Sequence, residues 1–510
     1  MEWKRATFWY PLGVFLASAL FVAWCSASRF ADNIDEGIYL DGAWRLAQGQ
    51  MLYRDFFQYL APGTFLVLGT LFKIFGHSLP ISRLPVTVDL ALMTALVFLL
   101  VGKLATRSAA GVAALCFLAF QTFNPGFIVA NHRWDSSACA LAAVTFGFFL
   151  LEKRSHLWAL GAGLFAGMAA CTTWSLGLLC AVLLAWVVCD RSARPQAISY
   201  MAGLCIVPLG VLAWLSARHA MLSMINGVLW SLRNYAGPNR TGYGLVIGGY
   251  GQLFRHAGPV EALLMSTFLI SATLPATLPV LCLVGWPPRL RFQPERRIFY
   301  LLVCAAAVVA STWPRPDMTH LMYVSALPYV LSFTLVARVL GAKQRCALAA
   351  VLLLVATCEI GYAIQQRLTE PWLATRVGAV HGKARELDVL RTIQASVAPN
   401  ETLFVFPYWP VYYFTTGARN PTRYSYLQPG MFPKQDEDEV LRTLRAHPPD
   451  AVVYRAVSPA FYLKIWPSSD PTRLRMTEIE DFLRDRYRVA ASEGKFQILR
   501  PRVTPLHLEP

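Results

Sequence analysis

Over its first two thirds the chain alternates long apolar runs with short polar connections. The first run follows Lys4 and Arg5 and resembles a signal peptide, but its length and the many runs after it favour an uncleaved membrane span. Several runs are shorter than the roughly 20 residues of a straight span, so their helices are expected to extend into flanking polar residues. Eleven spans are predicted, over Met1–Ala27, Pro80–Leu100, Ala109–Phe123, Ser136–Leu151, Leu157–Thr172, Trp174–Val188, Ile198–Leu215, Val260–Val284, Ile298–Trp313, Met318–Val336 and Cys346–Ile364.

The charges between these runs indicate the orientation of the chain. If the N-terminus lies in the cytoplasm, every connection on that side is basic, as the positive-inside rule requires. This topology places residues 28–79, the loops around 131–135, 216–259 and 314–317, and the whole C-terminal segment on the outer face. The basic residues of the predicted cytoplasmic connections are Lys103 and Arg107; Lys153 and Arg154; Arg191 and Arg194; Arg289, Arg291, Arg296 and Arg297; and Arg338, Lys343 and Arg345.

The first outer loop, residues 28–79, contains two predicted helices of different character. Asp35 and Glu36 open a short helical pattern whose apolar positions share roughly one face, and Gly49 ends it. The apolar positions of that face are Ile38, Trp44, Leu46 and Ala47. The apolar segment Tyr59–Gly76 is predicted to be a helix along the outer leaflet, because a further span there would invert every later connection.

The composition changes from about Gln366, where cysteine disappears and charged residues become frequent. The pattern indicates a membrane module at residues 1–365 followed by a small soluble α/β domain at residues 366–510, outside the membrane. Predicted strands are Thr402–Phe406, Ala451–Tyr454 and Phe496–Leu499, and predicted helices are Lys383–Ser396, Glu437–Ala446 and Glu478–Tyr487.

Composition supports a polytopic α-helical membrane protein. Of 510 residues, 55% are hydrophobic and 15% are charged, against about 25% charged residues in soluble domains, and the mean hydropathy is +0.43. The net charge of +16 does not predict a nucleic-acid partner, because Lys and Arg lie mainly in short connections and form no basic stripe. The 11 cysteines lie in or beside apolar segments without CxxC spacing, so no disulfide framework or cysteine metal site is predicted.

Three outer loops carry residues suited to chemistry, and the fold can bring them together because all three lie on one face. Carboxylates beside Arg and His suit a reaction that deprotonates a nucleophile and holds an anion. The three groups are Asp35-Glu36, the run Asn131-His132-Arg133-Trp134-Asp135 before the fourth span, and the run Trp313–His320 before the tenth, which includes Arg315 and Asp317.

These residues also have structural interpretations. Asp135 and Asp317 are good helix N-caps, and basic side chains suit a membrane interface. Asp89 and Glu359 are intramembrane carboxylates, which a transporter or flippase of a lipid-linked anion would use. Asp89 is predicted in mid-span, far from the outer face, as a structural polar contact. The transporter remains the alternative, although most candidate groups lie in outer loops and no inverted repeat is evident.

Aromatic residues cluster in two further outer segments. In the C-terminal domain, Tyr412–Gly417 and Asn420–Tyr424 could cap a site or bind a glycan, although packing inside the domain is favoured. The outer loop with Arg233-Asn234-Tyr235 and the run Asn239–Tyr243 could become ordered when substrate binds. A structural assembly protein would explain an outer domain but would leave the acidic pair of the first loop unexplained.

The first outer loop resembles that of GT-C glycosyltransferases, in particular the protein O-mannosyltransferase-like enzymes and the lipid A aminoarabinose transferase. The topology matches over roughly residues 1–340, and the motifs lie mainly in residues 35–83. The matching positions are Asp35-Glu36-Gly37, Ala43, Gly49, Tyr53, Arg54-Asp55, Pro62, Phe75-Gly76 and Arg83. The resemblance implies a GT-C fold in a bacterial inner membrane, with a periplasmic active site and a C-terminal domain above it.

The resemblance also implies that a sugar moves from a polyprenyl phosphate to a hydroxyl of a glycan, lipid or protein acceptor, with inversion of its anomeric carbon. The family's catalytic base corresponds to Asp35, with Glu36 beside it, and its second acidic residue corresponds to Asp135. The lipid A enzyme has a Lys before the proline of this loop, where this chain has Leu60-Ala61. The donor phosphate is therefore expected to meet other residues, with Arg54, Arg83, Arg133, Arg315 and His320 as candidates. Further substrate contacts are predicted at Tyr53, Asp55, His132, Asp317 and Tyr243, and a requirement for a divalent metal stays open.

Overall fold

The computed structural model describes residues 2–246, 249–255, 257–266, 269, 272–273 and 296–502. Up to residue 369 these residues form a helical bundle with additional helices in the outer loops. The helices are α1 (Glu2–Ser26), α2 (Ile34–Ala47), α3 (Gly63–Phe75), α4 (Leu79–Ser82), α5 (Leu84–Leu104), α6 (Arg107–Thr122), α7 (His132–Lys153), α8 (His156–Thr172), α9 (Gly177–Cys189), α10 (Ala197–Ala217), α11 (Met221–Asn234), α12 (Arg296–Ala310), α13 (Met318–Tyr323), α14 (Ala326–Val339) and α15 (Ala342–Thr369).

The bundle follows the predicted apolar runs. Each predicted span except the eighth coincides with a helix, and α13 and α14 divide the tenth. Most of the eighth span, Val260–Val284, and the predicted cytoplasmic Arg289 and Arg291 lie outside the described residues. Within the described residues, five helical segments are long and apolar enough to cross a membrane, at Trp9–Ser26, Leu79–Leu104, His132–Lys153, Arg194–Ala217 and Ala342–Thr369. The total of eleven spans stays a prediction.

Asp89 lies closer to the outer end of its helix than the sequence predicts. The apolar run begins at Pro80, but α5 begins only at Leu84, so Asp89 falls in the second turn rather than at mid-span. Its carboxyl group contacts that of Asp135 in the first turn of α7. The prediction of a structural polar contact is therefore correct, whereas the predicted distance from the outer end of the helix is wrong.

The helix α2 of the first outer loop is enclosed rather than amphipathic. It packs against α3 and against a short helix of the C-terminal domain, and all residues from Glu36 to Arg45 are buried. The prediction of a single apolar face is therefore wrong. Gly37 allows the close contact with the C-terminal domain, because a Cβ atom there would lie 2.3 Å from the backbone nitrogen of Val411. The second predicted loop helix is present as α3, and its position relative to a membrane stays a prediction.

The C-terminal segment forms a small α/β domain, as the sequence predicts. Strands β1 (Trp372–Thr375) and β2 (Gly378–His381) make an antiparallel hairpin. A separate sheet has the order β3-β4-β6-β5, with β3 parallel to β4 and the other neighbours antiparallel. Its strands are β3 (Leu403–Phe406), β4 (Ala451–Arg455), β5 (Tyr487–Glu493) and β6 (Phe496–Pro501), and the helices are α16 (Ala384–Ser396), α17 (Val411–Thr416), α18 (Lys434–Ala446), α19 (Pro459–Ile465) and α20 (Thr477–Arg486).

Several elements of this domain differ from the sequence-based prediction. Both strands of the hairpin, the strand β5 and the helices α17 and α19 are not predicted, and the predicted last helix includes Tyr487, which begins β5. All six residues of α17 are buried, so the aromatic run Tyr412–Gly417 packs inside the domain rather than capping a site. The first outer loop and this domain share one hydrophobic core, in which Phe30 and Tyr39 join Val380 and Phe404.

Candidate active site

One cavity of about 370 Å³ lies where the two parts of the chain meet. Its walls come from the beginning of α2, the beginning of α7, the segment leading into α13, the loop after α11, and two segments of the C-terminal domain. The cavity therefore joins the three outer-loop groups that the sequence singles out. The charged or ionisable residues that line it, apart from tyrosines, are Asp32, Asp35, His132, Arg133, Arg315, Asp317 and His320.

The acidic pair of α2 is divided between the cavity and the protein interior. Asn33 caps the helix by accepting a hydrogen bond from the Glu36 backbone N–H, at 3.1 Å. Asp35 is exposed to the cavity and has no hydrogen-bond or ion-pair partner among the described residues. Glu36, about 100° further around the helix, is buried and forms an ion pair with Arg83. The two adjacent carboxylates are thus available for different tasks.

The beginning of α7 presents a buried cation to the cavity. Asn131 caps this helix by accepting a hydrogen bond from the Arg133 backbone N–H, at 2.9 Å. His132 stacks on the ring of Tyr39, with ring centroids 5.5 Å apart, and the Thr173 hydroxyl oxygen lies 3.0 Å from its Nδ1. The Arg133 side chain is only 8% exposed, and its guanidinium has no partner among the described residues. A buried, unpaired guanidinium needs a counter-charge, so it indicates an anion site.

The segment leading into α13 supplies a second basic group whose charge is already balanced. Asp317 caps α13 and accepts hydrogen bonds from Arg315 Nε at 2.7 Å and from the His320 backbone N–H at 3.0 Å. Burial raises the pKa of Asp317, but hydrogen bonds and charges of His320 and Arg315 hold it well below its usual range. Arg315 also donates to Asn239 Oδ1 at 3.4 Å and to the Ile465 carbonyl at 3.0 Å. This cluster ties the cavity wall to the C-terminal domain.

The C-terminal domain and the tyrosines close the remaining sides of the cavity. Gln428 and Tyr426 come from the segment between α17 and α18, and Trp466 follows α19. Tyr39, Tyr59 and Tyr235 also line the cavity. A cavity with aromatic walls and a few fixed polar groups is typical of a binding site for a small organic group.

Other predicted site residues lie outside the lining of this cavity. Arg54 is exposed and pairs with Asp55 at 2.7 Å, and Asp55 also accepts a hydrogen bond from the Met51 backbone N–H at 2.6 Å. Tyr53 is buried and donates to the Leu60 carbonyl at 2.6 Å, so it shapes the loop. The structure likewise places Arg83, Asp135 and Tyr243 away from the cavity lining.

Asp135 belongs to a polar contact beneath the site. The Thr64 hydroxyl of α3 donates to its carboxyl group, and the carboxyl group of Asp89 of α5 contacts it as well. Asn131, not Asp135, is the N-cap of α7. Asp135 therefore joins α3, α5 and α7 below the wall that carries His132 and Arg133.

Sequence reasoning missed several lining residues. Tyr39 could have been found, because it follows Asp35 by one helical turn and therefore shares its face. Asp32 lies three positions before Asp35. Gln428 and Trp466 carry no comparable signal, because they are about 390 and 430 positions away from Asp35 in sequence. Within the described residues, no cluster of three or more His, Cys, Asp or Glu side chains could hold a metal ion.

The chain is similar to known proteins in part of its sequence and in its fold. Residues 60–216 match the family model described as dolichyl-phosphate-mannose-protein mannosyltransferase. Among curated proteins, no sequence matches the chain. The fold is similar to the crystal structure of ArnT from Cupriavidus metallidurans bound to undecaprenyl phosphate, with a TM-score of 0.57 and 15% identity over 97% of this chain and 98% of that chain. The apo state of the same ArnT gives a TM-score of 0.51 at the same identity and coverage of both chains. The resemblance to GT-C membrane glycosyltransferases is thereby confirmed, by the family model over residues 60–216 and by the fold over nearly the whole chain.

Proposed function

We propose that the chain is a membrane glycosyltransferase that moves a sugar from a polyprenyl-phosphate donor to a hydroxyl acceptor, with inversion of the anomeric carbon. The observation that carries this proposal is that one cavity is lined by an exposed carboxylate and a buried guanidinium, both without a partner among the described residues. These belong to Asp35 and Arg133. Glycosyl transfer from a phosphate needs both a base for the acceptor and a cation for the leaving group.

Asp35 suits the role of base. As the acceptor oxygen bonds to the anomeric carbon, the hydroxyl proton passes to the Asp35 carboxylate. The bond between the anomeric carbon and the phosphate oxygen breaks on the opposite side, which inverts the centre and releases polyprenyl phosphate. Since Asp35 has no partner among the described residues, its oxygens are free to accept that proton.

Arg133 suits the phosphate better than the other predicted arginines. Arg83 is neutralised by Glu36, Arg54 by Asp55, and Arg315 by Asp317. The guanidinium of Arg133 is unpaired and can form charge-assisted hydrogen bonds with a phosphate. The crystal structure of ArnT with undecaprenyl phosphate, which shares this fold, supports a lipid of the same class as the donor carrier.

Glu36 and Asp135 are assigned supporting roles. The ion pair between Glu36 and Arg83 holds the first turn of α2, and with it the backbone that carries Asp35. Asp135, in the first turn of α7, contacts Thr64 of α3 and Asp89 of α5 and so holds these helices together. Neither carboxylate lines the cavity, so neither is proposed to take the acceptor proton.

The setting proposed for the reaction is the periplasmic side of a bacterial inner membrane. The positive-inside pattern supports this orientation, and the apolar helices support multiple membrane spans. The acceptor is a glycan, lipid or protein hydroxyl. A transporter or flippase is not favoured, because the matching family model describes transferases and the candidate groups line a cavity where the helical bundle meets the C-terminal domain.

The test is sugar transfer by the purified full-length chain, with undecaprenyl phosphate linked to radiolabelled sugars as donors. We expect Asp35→Asn to lower kcat by roughly 10²–10⁴-fold while donor binding stays within about twofold, because the amide keeps the shape and removes the basicity. Arg133→Met should weaken donor binding by about 1.5–3 kcal/mol, which is roughly 10- to 150-fold in Kd.

The matched control is Asp388→Asn on the exposed face of α16, which should leave both quantities unchanged. Near-normal transfer by Asp35→Asn would remove the proposed base and much of the case for a transferase. Unchanged donor affinity in Arg133→Met would remove Arg133 from the phosphate site.

A further inference from the structure

Four buried polar atoms of residues that line the cavity lack a hydrogen-bond partner among the described residues. They are Tyr39 Oη, Arg133 Nε, Tyr426 Oη and Gln428 Nε2. The four residues are 1%, 8%, 4% and 8% exposed. Leaving such a group buried and unpaired costs about 1–3 kcal/mol, so groups of this kind are normally satisfied by a ligand or water. Their common position in one cavity points to a ligand with several polar groups.

Two of these groups, those of Arg133 and Gln428, differ in chemistry and in origin. Arg133 is a cation from the membrane module and suits a phosphate. Gln428 belongs to the C-terminal domain, and its amide N–H₂ is a neutral donor that suits a hydroxyl oxygen. The two groups would therefore recognise different parts of a substrate that carries both a phosphate and a sugar.

Backbone hydrogen bonds hold the segment that carries Gln428. The Leu427 N–H donates to the Pro407 carbonyl at 2.7 Å, directly after β3, and the Met431 N–H donates to the Gln428 carbonyl at 3.2 Å. The sheet of the C-terminal domain thus fixes the position of the segment. Because this backbone is already ordered, little backbone order has to be acquired when a ligand binds to the Gln428 amide.

A flat aromatic surface accompanies this donor. Trp466 lines the same cavity and is held by Tyr408, edge to face at 5.5 Å, and by Tyr462, stacked at 6.0 Å. The guanidinium of Arg315 lies over its ring at 5.9 Å. An amide and an immobilised aromatic ring in one cavity together offer hydrogen bonds to hydroxyls and an apolar face to the C–H groups of a sugar ring.

We propose that Gln428 and Trp466 form a sugar subsite through which the C-terminal domain selects the substrate. The ligand class is the ring of a neutral hexose or pentose, whose hydroxyl oxygen accepts the hydrogen bond from Gln428 Nε2. This inference rests on the proposed function, since both a donor sugar and an acceptor glycan can present such a ring. A hydrogen-bonding site of this kind discriminates against sugars that lack or invert the hydroxyl.

The test measures the contribution of the sugar to binding by the full-length chain in detergent. The probes are undecaprenyl phosphate alone and undecaprenyl phosphate that carries mannose, glucose or arabinose, and transfer to a glycan acceptor gives the acceptor KM. Gln428→Met keeps the side-chain length and removes the amide, and Gln428→Glu keeps the shape but replaces the N–H₂ donor with a carboxylate oxygen that only accepts. Gln435→Met, on the exposed face of α18, is the control. Thermal melting of each variant verifies folding, so a variant that misfolds is replaced by the other.

If the subsite takes the donor sugar, Gln428→Met weakens binding of the preferred sugar lipid about tenfold and leaves undecaprenyl phosphate within twofold. If the subsite takes the acceptor, the affinities for the sugar lipid and for undecaprenyl phosphate stay unchanged, and the acceptor KM rises about tenfold. The proposal is overturned if none of these quantities changes more than twofold, or if undecaprenyl phosphate alone is weakened equally. A parent chain that transfers no sugar but binds a sugar lipid with a Gln428-dependent gain would refute the transferase and keep the subsite.

Discussion

Replacing Arg83 with Met tests whether a buried ion pair holds the loop that carries the proposed base. Arg83 and Glu36 are each 1% exposed. Arg83 also donates to the Arg29 carbonyl at 2.8 Å, and Glu36 accepts a longer hydrogen bond from the Ala130 N–H at 3.4 Å. In Arg83→Met the Glu36 carboxylate keeps only that longer bond.

Removing one partner of a buried pair typically destabilises a protein by about 3–5 kcal/mol, because the other charge remains without compensation. Burial already raises the pKa of Glu36, against the opposing charge of Arg83, so the loss of Arg83 favours uptake of a proton. The folded variant then holds a proton that the unfolded chain releases. The stabilisation that comes from this proton is therefore complete below the unfolded pKa of Glu and is lost as the pH rises. The melting temperature of Arg83→Met should thus lie further below that of the parent at pH 8 than at pH 5.

The assay is thermal melting in detergent for Arg83→Met, Glu36→Gln and the double variant, at several pH values. The double variant replaces the pair by neutral groups of similar volume, and it should be more stable than Arg83→Met at neutral pH. Arg391→Ala, which disrupts an exposed ion pair on α16, is the control and should leave the melting temperature unchanged. A melting temperature of Arg83→Met equal to that of the parent, or a double variant less stable than both singles, would refute the assigned role.

Two further predictions concern the contact between the modules. Burial raises the pKa of Asp32 to about 7 even though the nearby Arg455 lowers it. Between pH 4 and 7 the folded chain then holds a proton that the unfolded chain has lost, so the free energy of unfolding falls with rising pH by at most about 1.4 kcal/mol per unit. Asp32→Asn should flatten that part of the melting profile, and an unchanged profile would contradict the assignment. Gly37→Ala should loosen the C-terminal domain, because its Cβ atom would lie 2.3 Å from the Val411 nitrogen. Limited proteolysis should then cleave near residue 370 faster than in the control Gly111→Ala, which has open space for a Cβ atom, and equal cleavage rates would exclude steric loosening.

The local sequence pattern was sufficient to predict the long helices of the bundle and the different directions of the two acidic side chains in the first loop. An apolar run of about 15 to 20 residues specifies a helix wherever it lies, so helices α5 to α10 follow the predicted spans. A step of about 100° per residue likewise sends Asp35 and Glu36 in different directions in any α-helix. The short strands of the hairpin and the helices α17 and α19 escaped prediction, because segments of four to seven residues carry little periodicity.

The sequence by itself determined the helical architecture, the separate C-terminal α/β domain and the three groups of residues that meet at the cavity. Only the tertiary structure decided which charges remain free there. Arg83 is neutralised by a residue 47 positions away, whereas Arg133 meets no such partner among the described residues. The tertiary structure also decided the position of Gln428 and Trp466, which reach the cavity because the C-terminal domain packs on α2. A charge is available for chemistry only when no folded neighbour compensates it, and contacts between distant parts of the chain leave no periodic trace in the sequence.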